Sequence, residues 1–164
     1  HNYVEETKMY EYRATINRVI DGDTVDCDID LGFGVVLADE RVRIMGIDTP
    51  ESRTSDKVEK VFGLAAKKRL KELLGKQCIL KTQIAKNGED MKGKFGRILG
   101  DFMSEDDRMV THIMEEEGHC VPYFGGSKED TQAQHTANRE RLLKEGVVSK
   151  AEYDKAVAIM EKKK

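Results

Sequence analysis

From Tyr10 onward the chain alternates. Tyr10, Tyr12, Ala14 and Ile16 share one parity and Glu11, Arg13, Thr15 and Asn17 the other, a period of two that predicts a half-buried strand over 10–19. Asp21-Gly22 follows as a turn signal. Val25, Cys27, Ile29 and Leu31 then alternate with Asp26, Asp28 and Asp30, which predicts a second strand with the aspartates on its wet face, broken by Gly32 and Gly34. Residues 35–47 predict a third strand, with Val42, Ile44 and Gly46 facing one way and Arg41, Arg43 and Met45 the other.

The period then changes. Val58, Val61, Phe62, Ala65, Arg69, Leu70, Leu73 and Leu74 recur at helical spacing, and Gly75 suits the residue just past a helix end. Residues 78–84 and 97–103 predict two further strands, with Asn87-Gly88 as a hairpin signal between them. Met109, Val110, Ile113 and Met114 predict a short helix closed by Gly118. Residues 131–144 predict another closed by Gly146. Ser149 and Glu152 form a capping box that opens a last helix, with Tyr153, Ala156, Val157 and Met160 as its apolar stripe. Lys162 to Lys164 suit the negative end of its dipole. Three strands, a helix, two strands and then helices is the order of an OB-fold. The expected architecture is therefore α+β: a five-stranded OB-fold β-barrel with three helices and an additional C-terminal helix. The expected division is an N-terminal tail over 1–9, one barrel domain over 10–146 and a helical extension over 147–164.

Composition narrows the picture. The 164 residues suit one core, with 38% apolar and 36% charged residues. A net charge of −3 argues against a protein that coats polyanions and is compatible with a local basic cleft. No apolar run is long enough to span a bilayer. His1 to Glu6 lack the apolar stretch of a signal peptide, and a start at His1 rather than Met suggests a trimmed N-terminus. Secreted and cytoplasmic or phage-encoded origins both stay open. Cys27, Cys78 and Cys120 match neither a zinc pattern nor a disulfide framework and read as small buried hydrophobes. A monomer is expected.

Three segments carry candidate chemistry: Ile20-Asp21-Gly22-Asp23-Thr24, Arg43 through Glu51, and Lys94-Phe95-Gly96-Arg97. Asp23 and Asp48 fall on loops at strand ends. Two carboxylates and a backbone carbonyl form a hard, oxygen-rich set suited to Ca²⁺. Pro50 biases Thr49 to an extended conformation, which can aim its carbonyl. Glu51 adds an acid that can orient or deprotonate water. Arg43 and Arg97 are permanent planar cations. With a divalent ion they would stabilise the extra charge of a phosphodiester's transition state. Asp26, Asp28 and Asp30 imitate the start of a calcium loop, but glycine falls one position late and Leu37 stands where the closing glutamate belongs. His112 reads as an exposed neighbour of Glu116, and His135 falls on a helix expected to be polar outside. Neither these nor His119 is assigned chemistry. The cluster Lys67, Lys68, Arg69 and Lys71 reads as a solvated helix face.

Asp-Gly-Asp-Thr, Arg followed by Asp-Thr-Pro-Glu, and Lys-aromatic-Gly-Arg, in this order and with these intervals, resemble the staphylococcal nuclease (thermonuclease) family over about 10–144. The resemblance implies Asp23 and Asp48 as Ca²⁺ carboxylates, Thr49 as carbonyl ligand and Asp21 as an acid standing behind them. It implies Glu51 as the residue that positions or activates water, and Arg43 and Arg97 as phosphate clamps. Lys94 and Phe95 would touch an outer phosphate and Tyr123 would stack on a base. The implied activity is hydrolysis of DNA or RNA to 3′-phosphates. The chain departs from the type member in four ways. The stretch from Asp23 to Arg43 is longer, Phe95 replaces a tyrosine, Gly125 replaces a second tyrosine, and 147–164 has no counterpart. The rival expectation is a non-catalytic OB module that binds nucleic acid or protein. Retention of Asp23, Arg43, Asp48, Glu51 and Arg97 together argues against it.

Overall fold

The structure, a computed structural model, describes residues 9–83 and 96–163. Residues 1–8 of the tail expected over 1–9, the Asn87-Gly88 hairpin, Lys94 and Phe95 lie outside the described residues, and Met9 already belongs to the first strand. The chain forms two compact units. One holds the described residues up to Ile20, with Thr24–Met45 and Leu73–Val110. The other holds Asp21–Asp23, Gly46–Glu72 and the residues from Thr111 onward.

The first unit is the expected barrel. Strands β1 (Met9–Asp21), β2 (Thr24–Gly32), β3 (Val35–Ile44), β5 (Gln77–Gln83) and β6 (Ile98–Met103) close in the order β1-β2-β3-β6-β5. Closure leaves no unpaired sheet edge. β1 pairs antiparallel with β5, Ala14 facing Cys78, and β5 pairs antiparallel with β6. β3 and β6 run parallel, with Val42 opposite Ile98 and Arg43 opposite Leu99. The alternation selects the inward side: Ala14, Val25, Cys27, Val42, Ile44, Leu80 and Phe102 are each 0% exposed.

Two readings of this region need correction. Asp26 does not lie on a wet face: it is 3% exposed and clamped by two arginines. Arg41 Nε donates to its Oδ1 at 2.8 Å and Arg18 Nη2 to its Oδ2 at 2.7 Å. Leu31, expected inside, is exposed with Phe33, Val35, Val36 and Leu37 near the hairpin end. There the chain turns through Gly32, Phe33 and Gly34, all at positive φ.

The predicted third strand is really two. β3 stops at Ile44, Gly46 takes φ +79°, and β4 (Ile47–Asp48) starts a separate two-stranded ladder. Its partner, β7 (Val121–Pro122), was not expected from sequence.

The second unit is built on helices. Asp56 caps α1 (Lys57–Leu74), its Oδ1 accepting from Val58 N at 3.0 Å and Glu59 N at 3.1 Å. Phe62, Ala66 and Leu70 form the buried stripe of α1. α2 (Val110–Glu116) follows, then α3 (Lys128–Lys144). α3 begins three residues before the expected 131, because Ser127 Oγ accepts from Asp130 N and two acids occupy its first turn. Ser149 caps α4 (Lys150–Lys162), accepting from Glu152 N at 3.0 Å. Phe62, Leu142 and Val148 make a buried cluster, and Tyr153 meets Phe62 edge-on at 6.0 Å. Met160 Sδ accepts the Lys57 N–H at 3.4 Å, tying α4 to the first turn of α1.

Candidate active site

The acids gather in the second unit. Gly22, between Asp21 and Asp23, has no room for a side chain: a Cβ there would lie 2.8 Å from Ala66 Cβ and 3.1 Å from Thr49 Cγ2. Asp21-Gly22-Asp23 is thereby packed against the first turns of the Asp48–Glu51 loop and against α1. Asp21 Oδ1 accepts from Ser52 N at 3.1 Å and also from Ser52 Oγ. Glu51 N donates to Glu59 Oε2 at 2.8 Å. Gly63 of α1 passes so close that a Cβ would lie 2.2 Å from Glu51 O. The loop carrying Glu51 is thus held by Asp21, Glu59 and a glycine that the sequence supplies at the one point of close approach.

These contacts fix the electrostatics. Burial pushes the Glu51 carboxyl above the ordinary glutamate range, and Glu59, Asp21, Asp48 and Asp23 push it further in that order. Four other carboxylates thus act on one. Asp48 has its backbone in the β4–β7 ladder, opposite Val121, and its Oδ2 lies 2.7 Å from His135 Nε2. Thr49 is 5% exposed and its Oγ1 is buried without a hydrogen-bond partner. Asp48, Thr49, Tyr123, Gln132, His135 and Arg139 line a cleft of about 270 Å³. Tyr123, predicted to meet a base, is 41% exposed there, and its N–H donates to Gly46 O at 2.9 Å.

The donor chemistry fits a hard divalent cation: oxygen ligands only, and a like-charge crowd that a cation would relieve. Among the described residues, no three acids, histidines or cysteines stand close enough to hold an ion as they are.

The two arginines belong to the barrel unit. Arg43 is half-buried on β3, where its Nη1 donates to Ile44 O. Arg97 is half-buried immediately before β6, whose first residue Ile98 pairs with Val42, the neighbour of Arg43 on β3. Thr24, the residue after Asp23, faces Arg43 across the β2–β3 ladder.

His135 is the functional candidate that sequence reading missed. It is 8% exposed, on a helix whose other buried residue is Leu142. Only its separation from Asp48 in sequence hid the pair. His112 is exposed. His119 is buried with Nδ1 unpartnered, and burial pushes its pKa down. Arg69, read as solvated, makes a bidentate pair with Glu117 at 2.7 and 2.9 Å. The three cysteines form no disulfide. Cys27 and Cys120 are buried and Cys78 half-buried, and burial pushes the Cys27 and Cys78 thiols up to about 12.

The closed five-stranded barrel of the first unit is of the OB type. The family profile described as "Staphylococcal nuclease homologue" matches residues 41–147, and the chain belongs to that family. The match includes Arg43, Asp48, Thr49, Glu51 and Arg97; Asp21, Asp23 and α4 lie outside it. The chain is 33% identical over 132 residues to "Thermonuclease" of Staphylococcus intermedius, covering 77% of this chain and 72% of that protein. It is 27% identical over 119 residues to "Endonuclease YhcR" of Bacillus subtilis (strain 168), covering 70% of this chain but 9% of that protein. With "SPbeta prophage-derived endonuclease YokF" of the same organism it shares 31% over 105 residues and spans 32% of that protein. Among the described residues no helix is long and apolar enough to cross a membrane.

Proposed function

We propose that this chain is a calcium-dependent nuclease that hydrolyses phosphodiester bonds of DNA, RNA or both by attack of water, leaving 3′-phosphates. The observation that carries the reading is the gathering of Glu59, Asp21, Asp48 and Asp23 around Glu51, whose carboxyl is raised above its ordinary range by burial first and then by those charges. Membership of a family whose named relatives include a thermonuclease and two endonucleases supports the same reading.

In this reading Asp23, Asp48 and the Thr49 carbonyl hold the cation, with Asp21 behind them. Ca²⁺, when bound, supplies positive charge to the phosphoryl oxygens and to the incoming water. Glu51 orients that water or takes its proton. Arg43 and Arg97 neutralise the charge that grows on phosphorus oxygens in the five-coordinate transition state. Lys94 and Phe95 meet a flanking phosphate, and Tyr123 stacks on a base.

The test is cleavage of single-stranded DNA, duplex DNA and RNA with Ca²⁺ or with excess chelator, with end-group analysis of the products. Cleavage is expected only with Ca²⁺. Arg43→Ala, Arg97→Ala and Glu51→Ala should each lower turnover by about 10²–10⁴ while far-UV circular dichroism is unchanged. Undiminished cleavage in chelator would remove the metal role. Undiminished cleavage by all three variants would remove the site, and binding without cleavage by the wild type would leave a non-catalytic module.

A further inference from the structure

We propose that His135 is a positioning residue that holds the Asp48 carboxylate in the orientation needed to bind the divalent cation; this rests on the cation site proposed above. Ionised carboxylate oxygens only accept, so the 2.7 Å contact requires the hydrogen on Nε2, and the neutral imidazole suffices to donate it. The contact engages Oδ2 and leaves Oδ1 free of that bond. One oxygen anchored and one available is the condition for a carboxylate to meet an ion without first losing torsional freedom.

The helix that carries His135 is itself fixed for this purpose. Positions i, i+3 and i+4 of α3 share one face, and each grips a different segment. His135 meets Asp48 of β4, while Asn138 Nδ2 donates to Cys120 O at 3.2 Å, just before β7. The Arg139 guanidinium lies over the Phe62 ring of α1 at 5.3 Å. β4 and β7 are the two strands of one ladder. So α3 is tied to β4, to the residue just before β7 and to α1, which fixes the backbone from which the imidazole projects. His135 is 8% exposed, and a buried imidazole needs a hydrogen-bond partner, which Asp48 supplies.

The inference is tested by calorimetric titration of the purified full chain with Ca²⁺. His135→Leu, which keeps the volume and removes the donor, should weaken Ca²⁺ binding about 10- to 100-fold. His135→Gln, whose amide can reach the position of Nε2, should keep most of the affinity. Asp48→Asn should weaken binding comparably, and adding His135→Leu to it should cost little more, because both changes remove one interaction. Cleavage by His135→Leu should recover toward the wild-type rate when Ca²⁺ is raised to saturation, as a role confined to the cation site requires. If His135→Leu does not fold, His135→Asn, too short to reach Asp48, takes its place with the same expectation. Wild-type Ca²⁺ affinity in a folded Leu or Asn variant, or independent addition of the two losses, would overturn the role of His135 alone. A wild-type protein that binds no Ca²⁺ would overturn the cation site and this inference with it.

Discussion

Replacing Gly63 by alanine separates the geometry of the Glu51 loop from its chemistry, because the substitution touches no side chain of the site. The new Cβ would lie 2.2 Å from Glu51 O, 2.4 Å from Glu51 C and 2.7 Å from Ser52 N. All three are backbone atoms, so no rotamer change relieves the overlap. A relaxed carbon–oxygen contact is about 3.3 Å, so α1 and the loop must part by about 1 Å. Overpacking of this kind costs about 1–3 kcal/mol. For a chain of this size that corresponds to a fall in Tm of about 2–12 °C. A displacement of about 1 Å at a reacting group can lower the rate about 100-fold. The assays are thermal unfolding and cleavage rate at saturating Ca²⁺, with Gly126→Ala as control, since a Cβ at Gly126 meets nothing within 4 Å. A Gly63→Ala protein that melts and cuts like the wild type would refute the claim that this close approach sets the position of Glu51.

Further outcomes follow from the charges. The Arg41 hydrogen bond first, with Arg18 adding to it against the opposing effect of burial, holds the Asp26 carboxyl below its usual range. Asp26→Asn should cost about 1–2 kcal/mol at neutral pH, a modest figure because both guanidiniums are about half exposed to solvent. A depressed carboxylate stabilises above its unfolded pKa, so the deficit of the Asn variant should be full at neutral pH. It should close as pH falls below the ordinary aspartate range, which denaturant titrations at stepped pH would follow. Glu51 has the opposite sign: its raised pKa favours the folded state at low pH, and that advantage is lost as pH rises through it. Glu51→Gln should therefore melt no lower than the wild type at neutral pH while losing turnover, and a clear drop in Tm would contradict the crowding of acids around it. Asp21→Asn should move the acid limb of the cleavage profile to lower pH by removing one of the charges that raise Glu51.

The barrel was legible because its strands obey simple alternation: Val25, Cys27 and Ile29 go inward as parity demands. Helix ends were legible where one residue type does the capping, as at Ser149 and Gly75. Alternation failed at Asp26 because parity gives the face of a residue, not what arrives to cover it; Arg18 and Arg41 come from two other strands. β7 was hidden because two residues carry no period and Pro122 reads as a strand breaker, although an edge position tolerates it. The start of α3 was hidden because its first turn is wholly polar. Residue types and spacing pointed to Asp21, Asp23 and Asp48, which the structure gathers around Glu51. The long-range partners were out of reach: His135 is 87 positions from Asp48, and Ser52 is 31 from Asp21. No local pattern marks such pairs.

Each compact unit is threaded from three separate stretches of chain. No single cut can release either one whole. A ribosome must deliver residues through Met103 before the barrel has its last strand, and must reach α3 before Asp48 meets its histidine. Neither part can be shed, borrowed or fused by moving one contiguous block of gene.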